Sequence, residues 1–271
     1  MRSLTLAVLV ACCAGCLSSP QPDAGNSTDA GSSADAGTDA GLPDAGFADA
    51  GHDAGEVDAG SCPPACTSCL GSTLCQLDCH ADAGCACPAG FSCLVSVQDR
   101  AGVDVDCAAG TDCSIQCGLG SCRDVTCGHG SCEIDCGFSC RNVDCAGSTS
   151  CTLHCSQDSC EGRIACSGDA CNVTCGPLAN ACTFTTEPMT CDAGLCELSC
   201  GPFSCANRDI VCAGASCHVT LPQPCVSTTV DCSAAGSCFV EGDAGTCGIT
   251  CPARCDGGCG LLDDGGLACG P

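Results

Sequence analysis

Residues 113–175 read CSIQC-GLGS-CRDVTC-GHGS-CEIDC-GFS-CRNVDC-AGSTS-CTLHC-SQDS-CEGRIAC-SGDA-CNVTC, and the fold turns on how that run divides. Two short cassettes alternate, joined by small polar turns. One is Cys-x-aliphatic-x-Cys, as in Cys113-Ser114-Ile115-Gln116-Cys117. The other opens on Cys and closes aliphatic-x-Cys, as in Cys122 to Cys127. In a strand, successive side chains point to opposite faces. Cys113, Ile115 and Cys117 therefore share one face, while Ser114 and Gln116 share the other. The split recurs in Cys132/Ile134/Cys136, Cys151/Leu153/Cys155 and Cys171/Val173/Cys175. No helical stripe competes over so short a run. The inward face is thiol, aliphatic, thiol.

The period extends outward from this run. First cassettes begin at Cys75, Cys93, Cys113, Cys132, Cys151, Cys171, Cys196, Cys217 and Cys238, at steps of 18 to 25 residues. Second cassettes end at Cys107, Cys127, Cys145, Cys166, Cys191, Cys212, Cys232 and Cys251. Each has an aliphatic residue or Met two positions earlier: Val105, Val125, Val143, Ile164, Met189, Ile210, Val230 and Ile249. Repeats of roughly 20 residues mark solenoids, in which each unit buries its face on its neighbours. The turns carry Gly, Ser and Asp, which bend the chain or bond their own backbone. The spacing predicts an all-β fold: a narrow, disulfide-stapled parallel β-solenoid with two short strands per coil, preceded by a disordered linker. Eight or nine coils at ~4.8 Å would make a rod of ~40 Å.

Composition fits a cross-linked scaffold. The chain has 271 residues and 41 Cys, about 15%, a level that marks disulfide scaffolds. It has no Trp and no Tyr, and its seven basic residues are all Arg. One aliphatic residue per strand cannot build an ordinary core. Bridges, at roughly 2–4 kcal/mol for a typical one, must supply much of the stability. The formal net charge of −25 repels phosphate backbones, so nucleic acid is not an expected partner. Anionic membrane surfaces are disfavoured too, apart from a lipid anchor.

Residues 1–16 read MRSLTLAVLVACCAGC. Arg2 gives a short positive start, and Leu4 to Ala14 an apolar run of signal-peptide length, too short to span a bilayer. Ala14-Gly15-Cys16 resembles a bacterial lipoprotein lipobox, although Cys13 stands where that family usually has Leu. Leu9-Val10-Ala11-Cys12 fits the consensus better but leaves a shorter apolar run. Cys16 is the expected lipidation site, with Cys12 as the alternative and an ordinary secretory cleavage near Ala14 as the plainer reading. The 41 cysteines less the three of the leader leave an even 38. The resemblance implies acylation, anchoring in a lipid bilayer and, with Leu17 following, outer-membrane delivery.

Residues 17–61 hold Asp-Ala-Gly eight times, starting at Asp23, Asp29, Asp35, Asp39, Asp44, Asp49, Asp53 and Asp58. Gly and Pro break helices, the carboxylates repel one another and little is left to bury. This reads as a solvated stalk whose ends would lie ~35–40 Å apart as a flexible coil. Calcium loops need fixed ligand positions, and the spacing here drifts. The expected divisions are a signal peptide over 1–15, the lipidated Cys and stalk over 16–61, a Cys-rich N-terminal cap over 62–92, the solenoid over 93–250 and a C-terminal cap over 251–271. Within the first cap, Cys85–Cys93 looks like the second half of an EGF-like module, but Cys93-Leu94-Val95-Ser96-Val97 already fits the first cassette.

An even cysteine count in an exported chain implies bridges. The repeat offers a pairing across each turn. Across the second turn these are Cys87/Cys93, Cys107/Cys113, Cys127/Cys132, Cys145/Cys151, Cys166/Cys171, Cys191/Cys196, Cys212/Cys217 and Cys232/Cys238. Across the first turn they are Cys79/Cys85, Cys117/Cys122, Cys136/Cys140, Cys155/Cys160, Cys175/Cys182 and Cys200/Cys205. Cys225 and Cys247 lack turn partners and can pair with each other, and four cysteines remain at each end. Bridges between stacked coils are the rival, since strand spacing falls inside the allowed Cα range.

Candidate chemistry is sparse. Thiolate binding of zinc or copper is one alternative, but aliphatic residues separate the thiols and the leader points to an oxidising compartment. No metal or cofactor site is expected. His154 and His218 face outward at different positions three coils apart and cannot share a metal; His129, His80 and His52 are isolated. Outward Glu133, Asp135, Asp104, Asp124 and Asp144, with Arg123, Arg141, Arg163 and Arg208, raise the alternative of a carbohydrate-active β-helix enzyme. The arginines vary in register, and sugar-stacking Trp and Tyr are absent. Ser residues before Cys (Ser121, Ser131, Ser139, Ser150, Ser159, Ser204, Ser216, Ser237) have no His to activate them and read as turn caps. The scaffold is similar in style to insect β-helical antifreeze proteins, but its outward pairs are irregular and charged. The chain resembles Cys-rich repeat lipoproteins of bacterial envelope type. The expected protein is non-catalytic and exported to the cell envelope, with a structural or adhesive role toward an unknown polysaccharide or protein ligand. Phe138 and Phe203 are its candidate apolar contacts.

Overall fold

The computed structural model describes residues 62–80, 84–98, 102–119, 122–138, 140–177, 180–183, 187–221, 227–242 and 247–250, and the backbone of 260–261 and 267–269. All of them belong to one compact unit, His52–Pro271. The leader with Cys16 and Cys12, the stalk and most of 251–271 lie outside the described residues. Among those described, no helix is long and apolar enough to cross a membrane.

The chain opens with β1 (Ser68–Leu70), antiparallel to β2 (Leu74–Cys79). From there two parallel ladders rise side by side. The first continues from β2 through β4 (Ser92–Val97), β6 (Cys113–Leu119), β8 (Ser131–Phe138) and β10 (Ser150–Cys155). It goes on through the C-terminal parts of β11 (Ile164–Cys175) and β12 (Met189–Cys200) to β14 (Ser216–Thr220) and β16 (Ser237–Glu241). The second holds β3 (Cys85–Ala86), β5 (Val103–Asp106), β7 (Cys122–Thr126) and β9 (Asn142–Cys145). The N-terminal parts of β11 and β12, then β13 (Asp209–Cys212), β15 (Thr229–Asp231) and β17 (Gly248–Thr250), complete it. A hairpin of β18 (Gly260–Leu261) and β19 (Leu267–Cys269) ends the chain, with β19 antiparallel to β16. The result is a parallel β-solenoid of about eight coils.

The register stacks like on like. Cys75, Cys93, Cys113, Cys132, Cys151, Cys171, Cys196, Cys217 and Cys238 form one column. Beside it run Leu77, Val95, Ile115, Ile134, Leu153, Val173, Leu198, Val219 and Val240, all buried. The second ladder has its own column, Val105, Val125, Val143, Ile164, Met189, Ile210 and Val230, also buried. Each aliphatic side chain contributes roughly 1.5–3 kcal/mol by leaving water, and a slip of one residue would turn the whole column outward. Register is thereby fixed.

Every pairing proposed across a turn is present as a bond, from Cys79–Cys85 and Cys87–Cys93 to Cys212–Cys217 and Cys232–Cys238. The N-terminal four close as Cys62–Cys69 and Cys66–Cys75. Cys247 is also disulfide-bonded; Cys225 lies outside the described residues. Val97 stands between Cys79 and Cys117 in the column that otherwise holds cysteine. Cys85 sits opposite Val105, in the aliphatic column.

The corners use two devices. In first turns, Asp158, Asn180 and Phe203 have positive φ, as do Cys160, Cys182 and Cys205 two positions on. Asn and Asp tolerate that conformation and Phe does not favour it. In second turns the coils touch through glycine. At Gly168, with φ of +125°, a Cβ would lie 1.8 Å from the Ser148 carbonyl oxygen.

The largest fully buried side chain is Arg208, at 0% exposure. It lies two positions before inward Ile210 and so shares its face. Its guanidinium donates to the carbonyls of Cys160 (3.0 Å) and Gly162 (2.6 Å), residues 46–48 earlier in the chain, while Nε has no partner among the described residues. Burial without a counter-ion pushes its pKa down to about 10.

Candidate functional site

The outer surface of the second ladder carries the most organised polar groups. In β7 and β9 the aliphatic residue is flanked by polar neighbours that face solvent because Val125 and Val143 face in. Asp124 is aligned with Asn142, and Thr126 with Asp144. Asn142 Nδ2 donates to Asp124 Oδ1 at 2.6 Å, and Asn142 Oδ1 accepts from the Arg163 amide at 2.8 Å. Asn142 thus fixes both the coil before it and the coil after it.

Arginines interleave with these acids. Arg123 Nε donates to Asp104 Oδ1 at 2.8 Å, its NH2 pairs with Asp104 Oδ2, and Nε lies 3.5 Å from Asp124. The hydrogen bond and charge of Asp104 hold the Arg123 guanidinium above its ordinary pKa. A register irregularity between Val103 and Val105 permits this pair. Asp104 therefore meets an arginine across the coil boundary. Arg163 approaches Asp144 at 3.7 Å, and Asp144 Oδ1 accepts from the Ala146 amide at 2.9 Å. Arg141 is exposed and makes no ion pair among the described residues.

Around these groups lies a cleft of about 820 Å³. Its polar lining is Asp124, Thr126, Arg141, Asn142, Asp144, Glu161, Arg163 and Glu187. At its floor the coils approach closely enough that only glycine fits: a Cβ on Gly162 would lie 2.2 Å from Asn142 Oδ1 and 2.4 Å from the Arg141 carbonyl oxygen. Glu187 precedes Met189 in the coil with the longest step, between Cys171 and Cys196.

The first ladder shows a plainer surface. One outward column reads Gln76, Leu94, Ser114, Glu133, Thr152, Asn172, Glu197, His218 and Phe239. The other reads Asp78, Ser96, Gln116, Asp135, His154, Thr174, Ser199, Thr220 and Glu241. His154 and His218 stand in different columns. His218 packs on Phe239 with ring centroids 4.9 Å apart, and its Nε2 is 3.9 Å from Glu241, beyond hydrogen-bond reach. Phe203 is 74% exposed, whereas Phe138 is half-buried.

Sulfurs cluster without offering thiolates. Cys87, Cys93 and Cys113, like Cys127, Cys132 and Cys145, bring their Sγ atoms within 4.8 Å of one another. These cysteines are bonded in Cys87–Cys93, Cys107–Cys113, Cys127–Cys132 and Cys145–Cys151. A disulfide sulfur has no ionised thiol to give a metal. Ser159 and Ser204 donate to carbonyls three residues back, Ser156 and Gly201, each at 2.7 Å, and Ser150 donates to Ser131 at 3.0 Å. Ser121 and Ser139 lie outside the described residues.

No protein-family model, curated protein or solved structure matches the chain. Its class is defined by its own architecture, a disulfide-stapled parallel β-solenoid. Two features escaped sequence reasoning. Arg208, expected among the outward charges, is buried; its alternation with inward Ile210 was the signal that could have shown it. The cleft carried no such signal, because it depends on how coils of unequal length stack.

Proposed function

We propose that the chain is an exported, non-catalytic protein, lipid-anchored through Cys16 (Cys12 the alternative) at the cell envelope, most simply the outer membrane. Its rigid solenoid serves a structural or adhesive role. The observation that carries this reading is the cysteine chemistry: every cysteine whose side chain is described is disulfide-bonded. The bridges with both partners among the described residues each span at most nine residues. A scaffold so closed needs an oxidising compartment to form and presents two polar surfaces that local unfolding would not easily disrupt. The test is the intact mass and free-thiol count of protein from an exporting host. Full oxidation, no bound metal and an acyl mass on Cys16 support it. Free thiols with zinc or copper would replace it by a thiolate metal store.

A second reading draws on the cleft, where carboxylates and arginines converge beside the longest coil. That is the arrangement a carbohydrate-active β-helix enzyme would need. Incubation with acidic and neutral polysaccharides, followed by assay of new reducing ends or unsaturated products, separates it. Turnover abolished by Arg141→Ala would establish the enzyme.

A further inference from the structure

The cleft beside Asn142 discriminates between ligand classes. Its two anchored acids are already engaged: Asp124 with Asn142 and Arg123, Asp144 with the Ala146 amide and Arg163. Arg141 keeps its donors free of any ion pair among the described residues, and Arg163 is held only at 3.7 Å. The lining carries Asp124, Asp144, Glu161 and Glu187 against Arg141 and Arg163, in a chain of charge −25. That field repels polyanions. With Asp124 and Asp144 already partnered, the rest of the lining sets two guanidiniums against two carboxylates, which offers a cation little net attraction. What suits such mixed donors and acceptors is a ligand that both donates and accepts and carries no charge. Vicinal hydroxyls do this. Successive coils, ~4.8 Å apart, present these groups at about the length of one pyranose.

We propose that this cleft binds a neutral polysaccharide strand lying across the coils, with Arg141 and Arg163 donating to its oxygens and Glu161 accepting from its hydroxyls. The proposal rests on the binding role put forward above and names the ligand class. It needs no aromatic platform, because the polar groups are held by Asn142 and the Gly162 floor.

The test is affinity electrophoresis of the oxidised full chain through native gels containing hydroxyethylcellulose, galactomannan or laminarin, with polygalacturonate as the contrast. The expected result is retardation by at least one neutral polymer and none by polygalacturonate. Arg141→Ala should weaken retardation about tenfold or more, the scale of lost hydrogen bonds to a charged group, with the free-thiol count unchanged. Glu161→Gln should give a smaller loss. No retardation by any neutral polymer, binding of polygalacturonate instead, or unchanged affinity in the Arg141 variant would overturn the proposal. Retention of the wild-type chain on whole envelopes is measured separately. Envelope retention without neutral-polymer binding sinks the cleft alone; loss of both sinks the binding role as well.

Discussion

Arg208 brings a full positive charge into the interior with only carbonyls to meet it. Because its pKa is lowered, the charged form is disfavoured in the folded state, and loss of its proton above about 10 relieves that penalty. At neutral pH its worth lies in two hydrogen bonds and in the space it fills. Arg208→Ala should lose about 2–4 kcal/mol, from two orphaned carbonyls and a cavity. Arg208→Met, which refills the space, should recover part of it; denaturant unfolding under non-reducing conditions measures both. At the surface, Asp231 accepts from the Ser233 amide at 2.9 Å, which holds its carboxyl below the usual range. A depressed carboxylate stabilises above its unfolded pKa and ceases to as pH falls through the folded value. Protection of the Ser233 amide from hydrogen exchange should thus persist to a pH below the ordinary carboxylate pKa and then vanish. In Asp231→Ala it should be absent at every pH.

The coil is the unit of construction. Most bridges close loops within one coil, and loop-closure entropy for so few residues is worth only about 2 kcal/mol per bridge. Replacing Cys136 and Cys140 together by Ala, which opens a loop of sequence separation 4, should therefore cost about 2 kcal/mol. The damage should stay local, read as faster proteolysis near Phe138 with the remaining bridges intact. At this scale the sequence was most legible. Period-two alternation placed Cys113, Ile115 and Cys117 inward, and turn-flanking positions paired Cys107 with Cys113 and Cys136 with Cys140. What stayed illegible depends on unequal coil lengths. The contact of Arg123 with Asp104 needs the irregularity after Val103. The reach of Arg208 across to Cys160 and Gly162 passes the lengthened coil that holds Glu187. Alternation within a strand carries no information about either.

The molecule as a whole has a thin core: one aliphatic column per ladder, walled by sulfur. Columns of one side chain per strand cannot balance the ordering of roughly 20 residues per coil, at about 1–2 kcal/mol of backbone entropy for each residue. Full reduction should therefore unfold the solenoid cooperatively over several coils, since each coil relies on its neighbours. Circular dichroism before and after reductant, at constant ionic strength, checks this. Persistence of the strand signal after complete reduction would mean that the ladders hold without their bridges. The high negative charge adds self-repulsion once the coils open, so added salt should slow the loss of structure.

The shortness of the bridges also bears on how the chain is made. Cys136 finds Cys140 four residues later, and Cys175 finds Cys182 seven later. In the bridges with both partners among the described residues, each native partner is thus nearby as the chain emerges, and closing so short a loop is fast. A coil can be sewn shut before the following one has been delivered. The chain can then assemble from its first coil toward its last, in the order of its own synthesis, with little opportunity for a cysteine to seize a distant one.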